Sequence, residues 1–279
     1  MKRFENKVAA ITGASSGIGR SLALELGRRG CDLALSDVNE VGLEETAAQA
    51  RNLGVNVTSQ RVDVADRDAV YAWADQVVRD HGKVNLIFNN AGVALGSTVE
   101  KMTYEDFEWL MNINFWGVVY GTKAFLPHLK ATGDGHIINI SSVFGLAGIP
   151  SQSAYNSAKF AVRGFTESLR QELDMLKFGV SASCVHPGGI KTSIARASRM
   201  DDSLQDLGLA SPGEDTRQKF EKSFITSPDK AANEILEGVQ RNQRRILVGP
   251  DARVYDWMVR LLPTAYQRLA VGYARFTAK

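Results

Sequence analysis

Tyr155 and Lys159 stand four residues apart in "SAYNSAKFAV" (153–162), on one face of a helix if the segment is helical. Free tyrosine titrates near ~10 and free lysine near ~10.4, so alone neither moves a proton readily at neutral pH. Side by side, the ammonium favours the phenolate and is expected to lower the tyrosine pKa, making it a usable acid/base. Ser142, 13 residues before Tyr155, ends the apolar run of "HIINISS", where its hydroxyl could bond a substrate oxygen beside the phenol. Asn114, polar within "MNINFWG", could hold a water that links Lys159 to solvent. Each feature alone also fits an ordinary structural role: an exposed helix pair, a turn serine, a helix amide satisfied by backbone.

A second constellation lies upstream. "TGASSGIG" (12–19) places Gly13, Gly17 and Gly19 around Ser15, Ser16 and Ile18, between a strand pattern and a helix pattern. Glycines let backbone turn tightly or approach a ligand, and the helix that follows points its unpaired amides at an anion. Asp37 ends the second strand pattern, 18 residues past Gly19. A carboxylate there can accept from both ribose hydroxyls of an adenosine and repels a 2′-phosphate, which favours NAD. Arg20, just past Gly19, keeps NADP open. Asp63, followed by Val64 in "VDV", could accept from an adenine amino group, and "NNAG" ends the fourth strand pattern with Asn90, Ala91 and Gly92. Small residues at that point let backbone pass close to a flat ligand.

The elements that must position these residues alternate. "KVAAITG", "CDLALSD", "VNVTSQRVDV", "KVNLIFNNAG", "GHIINISS" and "VSASCVHPGG" read as buried strands separated by longer helical patterns, one of them from about Tyr104 to Lys130. Strand–helix alternation implies an α/β fold, a doubly wound parallel sheet of Rossmann type whose ligands bind beyond the carboxyl ends of the strands. We assign residues 1–250 to one dinucleotide-binding and catalytic domain, with a lid insertion at about 190–226. Ile194, Leu204, Leu207, Leu209, Phe220 and Phe224 give that lid apolar points, and Ser227 with Pro228 reads as the start of the next helix. Val143, Phe144, Leu146, Ile149, Ala94 and Leu95 could wall a site for a fairly lipophilic alcohol, aldehyde or ketone.

"TGASSGIG", "NNAG", "NISS" and "YNSAK", in this order, resemble the short-chain dehydrogenase/reductase family, from about Lys7 to Thr192. The resemblance implies a catalytic quartet of Asn114, Ser142, Tyr155 and Lys159. Tyr155 would exchange the proton, Ser142 steady the substrate oxygen, Lys159 hold the nicotinamide ribose and Asn114 anchor a proton relay. "HPGGIKT" resembles the segment that contacts the nicotinamide amide, here Pro187, Gly188, Ile190 and Thr192, and His186 before it reads as a strand-end residue. Homodimers or homotetramers through the long helices are likewise implied. The expected reaction is hydride transfer between NAD and an alcohol or carbonyl. The alternatives are a 3-oxoacyl thioester reductase of lipid metabolism, or a dinucleotide-binding redox sensor without turnover.

Composition narrows the remainder. The 279 residues carry a formal charge of +2 and no basic block suited to nucleic acid. Cys31 and Cys184 are lone thiols in strand patterns, no metal motif appears, and no signal or membrane-spanning segment is read, so a cytoplasmic setting is expected. Residues 251–279 read as an amphipathic helical extension. Its apolar stripe is Val254, Trp257, Met258, Leu261 and Leu262, restarting after Pro263 with Tyr266, Leu269, Ala270 and Tyr273. Arg253, Arg260, Arg268, Arg275 and Lys279 accompany one acid, Asp256, between Arg253 and Lys279. Packing on this subunit or a second copy is expected, with peripheral membrane contact as the alternative.

Overall fold

Strands with apolar residues on both faces need cover on both faces, and the chain supplies it. The computed structural model describes residues 3–194, 197–209, 217 and 224–277, with side chains described through 272. Numbered along the chain, its strands are β1 (Val8–Thr12), β2 (Asp32–Asp37), β3 (Val57–Arg61), β4 (Leu86–Asn89), β5 (Leu95–Gly96), β6 (Gly135–Ile140), β7 (Val180–Pro187), β8 (Arg199–Met200) and β9 (Arg245–Val248). Seven of them form one parallel sheet in the order β3-β2-β1-β4-β6-β7-β9. The order reverses direction between β1 and β4, the crevice at which such sheets bind ligands. Register aligns the strand ends: Thr12 lies opposite Ser36, and Asn89 opposite Asn139. The loops that bear the candidate residues therefore leave the sheet at one level.

The helices are α1 (Gly17–Arg28), α2 (Glu40–Arg51), α3 (Arg67–His81), α4 (Tyr104–Met111), α5 (Gly117–Thr132), α6 (Ser153–Leu176), α7 (Pro228–Gln240), α8 (Pro250–Leu261) and α9 (Tyr266–Thr277). Apolar residues of α1, α2 and α7 join one face of the sheet through Leu22, Leu26, Ala47 and Ile235. The opposite face packs α3, α5 and α6 through Trp73, Phe125 and Leu169. The starts follow local chemistry: Asn39, Asp66, Thr103 and Ser227 each accept an N-terminal amide of the helix they precede.

Two expectations are refined. The long helical region is α4 and α5 joined by a π-turn, Asn112–Trp116, in which the Gly117 amide reaches back to the Asn112 carbonyl. The lid is pinned by a short parallel pair, β5 with β8. Within it Leu204 is buried, Leu207 is exposed, and Phe220 lies outside the described residues, as do Lys279 and the side chains of Tyr273 and Arg275. Among the described residues no helix is long and apolar enough to cross a membrane.

Candidate active site

The glycine turn is built by close approach. Gly13 has φ +68°, and a Cβ there would lie 2.8 Å from Ala91 Cα, while a Cβ on Gly19 would overlap the Gly13 carbonyl oxygen. Thr12 ties the turn to the neighbouring strand, because its Oγ1 accepts from the amides of Asn90 and Ala91, both at 3.0 Å. Asn90 Nδ2 donates to the carbonyls of Thr12 (2.9 Å) and Gly13 (3.1 Å). The first turn of α1 contains no acid, so its amides and positive dipole end remain suited to a phosphate. A cradle that side chains would fill, above a helix start without an acid, fits a dinucleotide pyrophosphate.

Asp37 completes that end. Its Oδ2 accepts from the Ser15 amide and its Oδ1 from the Asn39 amide, both at 2.9 Å, so the carboxylate is held at the rim of the cleft. Arg20, which kept the phosphorylated cofactor open, turns away. Its Nη2 donates to the Ser15 carbonyl (2.6 Å), the Gly42 carbonyl (3.1 Å) and Glu45 Oε2 (3.0 Å), and its Nε to Thr46 Oγ1 (2.9 Å). The guanidinium is thus occupied by α2.

At the other end, Ser142 follows β6, and Tyr155 and Lys159 project from α6. The Ser142 hydroxyl accepts from the Phe144 amide at 3.1 Å and faces the same cleft as the Tyr155 phenol, whose pKa it lowers. Phe144 meets the Tyr155 ring edge to face at 6.1 Å. Lys159 is buried, donates to the Ile140 carbonyl at 3.0 Å, and has its Nζ 5.5 Å from the Tyr155 ring centre.

The titration of the pair runs opposite to the expectation from spacing. Burial pushes Tyr155 up to about 12, with Ser142 pulling it back only in part, and burial brings Lys159 down to about 8. Desolvation disfavours both charged forms and is the largest cause of each shift. Tyr155 in this state is a proton donor.

Asn114 sits on the π-turn, fully buried, with its amide paired to one backbone residue. Oδ1 accepts from the Val93 amide and Nδ2 donates to the Val93 carbonyl, both at 2.8 Å. Its side chain therefore fixes the loop after β4. A Cβ on Gly92, on that loop, would stand 3.2 Å from Asn114 Oδ1 and 3.7 Å from Lys159 Nζ, so the bare glycine lets these two groups crowd the loop.

One cleft of about 760 Å³ brings these ends together. Gly13, Ser15, Ser16, Gly17, Ile18, Asp37, Asp63, Val64, Asn90, Ala91 and Gly92 line it, as do Ser142, Tyr155, Lys159, Pro187, Gly188, Ile190 and Thr192. Gly19 lies beneath the turn and Asn114 behind Gly92. Ala94, Val143, Phe144, Ile194 and Phe224 supply apolar wall as expected, whereas Leu95 belongs to the core beside α4 and Leu146 lines a separate outer groove.

Several supporting residues were not anticipated. Asn156 accepts from the Ile149 amide (3.0 Å) and donates to the carbonyls of Phe144 (2.7 Å) and Ala147 (2.9 Å), tying the loop over the site to α6. His186 is buried and brought down to about 4 by desolvation; its neutral Nδ1 bonds the Ser142 carbonyl at 2.9 Å. Asp251 and Tyr255, at the start of α8, line the same cleft, and Asp251 Oδ2 accepts from the Gly189 amide at 2.6 Å. The span after residue 250 is thus part of the site wall. Only its helical pattern was visible in the sequence.

The family model described as short chain dehydrogenase matches residues 7–203. SadH of Mycobacterium tuberculosis, named as an oxidoreductase, is 51% identical over 282 residues, which covers 99% of this chain and 98% of that one. A short chain dehydrogenase/reductase from Burkholderia phymatum, solved in complex with NAD, superposes with TM-score 0.84 at 31% identity, over 96% of this chain and 97% of that one. A carveol dehydrogenase from Mycobacterium avium, also in complex with NAD, gives TM-score 0.74 at 26% identity over 85% and 91%.

Proposed function

Since the chain belongs to the short-chain dehydrogenase family and is an oxidoreductase of that family, we propose that it transfers hydride between NAD and a lipophilic alcohol or ketone, with Tyr155 as general acid/base. The observation on which this rests is the meeting of Ser142, Tyr155 and Lys159 at one end of a cleft whose other end is the glycine turn and Asp37. The nicotinamide, when bound, supplies the hydride acceptor or donor. This chain's residues do the rest. The Ser142 hydroxyl and the Tyr155 phenol converge on the substrate oxygen and orient it. In reduction, the phenol, kept protonated by burial, donates its proton to that oxygen as the carbonyl carbon gains hydride; oxidation runs the same steps backwards. Lys159, with its pKa near 8, returns the proton to Tyr155. Asn114, which holds the loop beside Lys159, is the residue we assign to anchoring a relay water.

Preference for NAD follows from Asp37 at the rim and from the inward commitment of Arg20. A lipophilic substrate is supported by the apolar wall of Ala94, Val143, Phe144, Ile194 and Phe224, and by the likeness to a protein that by name acts on carveol. Exposed Trp116 and Phe160, beside α5 and on α6, support a homo-oligomer. The test is a panel of alcohols and ketones of graded size, assayed with NAD and NADP, for wild type and Tyr155→Phe. Turnover of Tyr155→Phe at the wild-type rate refutes the reading.

A further inference from the structure

Helix α8 is inverted relative to its composition. Of its two acids, Asp251 faces the cleft and Asp256 is buried at 7% exposure, with Oδ1 accepting from Arg245 Nη1 and Oδ2 from Arg260 Nε, each at 2.8 Å. Its large apolar residues point out: Val254 is 65% exposed, Trp257 63% and Leu261 70%. Spacings of three and four put these on one ridge, opposite Asp256 and Ala252. After the break at Pro263, Tyr266 turns inward, its hydroxyl accepting from the Gly148 amide at 3.0 Å, while Leu269 stays 56% exposed. The packing expected of this stripe on its own subunit is therefore realised by Tyr266 but not by Val254, Trp257 or Leu261. An exposed apolar ridge of this kind marks a contact surface.

Charge identifies what the ridge meets. Arg253 and Arg260, seven residues apart, run along one shoulder of the ridge, and Arg268 is exposed beside Leu269. Asp256 is the single acid between Arg253 and Lys279, and it is buried. The face thus offers cations and apolar side chains, with Asp256 buried beneath Arg260 and Glu234 at the edge, 4.0 Å from Arg253. In a symmetric contact the patch would meet a second patch of the same composition, which brings arginines and apolar groups but little acid to pair with them. An anionic bilayer surface satisfies both halves, because apolar side chains enter the acyl boundary while guanidinium groups meet phosphates. Trp257 suits that boundary, with an apolar ring and one polar N–H.

We propose that the outward face of α8 and α9 docks this protein on anionic lipid surfaces. The same helix presents Asp251 and Tyr255 to the cleft on its other side, so docking sets the cleft beside the bilayer. Delivery of a lipophilic substrate from the bilayer rests on the reading above; the docking does not.

The test uses full-length protein and vesicles of phosphatidylcholine, alone or mixed with phosphatidylglycerol, at low and high salt, with native mass measured in parallel. Wild type should co-sediment with the anionic vesicles at low salt and be released by salt. Trp257→Glu/Leu261→Glu and Arg253→Glu/Arg268→Glu should each weaken binding about tenfold or more, with oligomer mass and turnover of a soluble alcohol unchanged. Wild type that stays in the supernatant with both vesicle types overturns the proposal, as does sedimentation that neither double variant reduces. A lower native mass for Trp257→Glu/Leu261→Glu also overturns it, by making the ridge a subunit contact. Because binding is read by sedimentation, failure here leaves the catalytic reading standing or falling on its own assays.

Discussion

Replacing Asp37 by alanine separates a structural loss from a specificity change. The carboxylate accepts the Ser15 and Asn39 amides, so its removal loosens the glycine turn and the start of α2. That cost, ~1–3 kcal/mol for the amides left without an acceptor, falls equally on either cofactor and cancels in a ratio. The bonds to ribose hydroxyls do not cancel. Hydrogen bonds to a charged group contribute about 1.5–3 kcal/mol, so roughly 2 kcal/mol is lost with NAD alone. With NADP the change has the opposite sign. Two charges ~4 Å apart near a surface interact by about 4 kcal/mol, and solvent at the cleft rim reduces this to ~2 kcal/mol. The NAD/NADP ratio of kcat/KM should then fall by ~4 kcal/mol, or about a thousandfold. Measured with one alcohol under non-saturating conditions, a ratio that moves less than about threefold in a folded variant refutes the reasoning. Arg20→Leu is the companion: its guanidinium is bound to α2, so the ratio should stay within about threefold of wild type.

Other outcomes follow from the same geometry. Tyr155→Phe should lower kcat by ~10²–10⁴ with NAD affinity, read by fluorescence titration, almost unchanged. Lys159 titrates at about 8 in the fold against 10.5 when exposed, so between those values the unfolded chain holds more protons and stability rises with pH. Wild type should therefore gain about 2 kcal/mol over Lys159→Met between roughly pH 7.5 and 9.5 in urea melts, and parallel profiles would sink this. Above about pH 10 the raised Tyr155 works the other way, since the unfolded phenol ionises first and stability falls. Asn156→Leu should remove three bonds to the loop over the site and cost ~2–4 kcal/mol of stability, with a larger fall in kcat than in NAD affinity.

The sheet was legible because each strand is a short apolar run bounded by turn residues, from "KVAAITG" to "VSASCVHPGG". Gly13, Asp37, Ser142, Tyr155 and Lys159 were legible because their types and spacing are the chemistry. What escaped depended on distance in the chain. Asp251 and Tyr255 reach the cleft only through the path of β9 and α8, and nothing local marks them. The direction of Arg20 is decided by Thr46 and Glu45 on another helix. The upward direction of the Tyr155 shift escaped for a related reason, since spacing conveys proximity and says nothing of burial. In the tail the helical periodicity is seen, and the stripe faces outward from the single chain, with Asp256 turned in on Arg245.

The π-turn at Asn112–Trp116 also makes this helix sensitive to length in a way that substitutions do not probe. The turn holds one residue more than an α-helical turn, so a one-residue deletion there would return the ladder to α-helical pairing while the helix on either side keeps its facing. Asn114, on the widened turn, would lose its place against Val93, whereas Gly121 would stay against Asn89, whose Oδ1 occupies the place a side chain would take. The segment takes up one extra residue within a continuous rod, and that count of residues is what presents Asn114 to the loop.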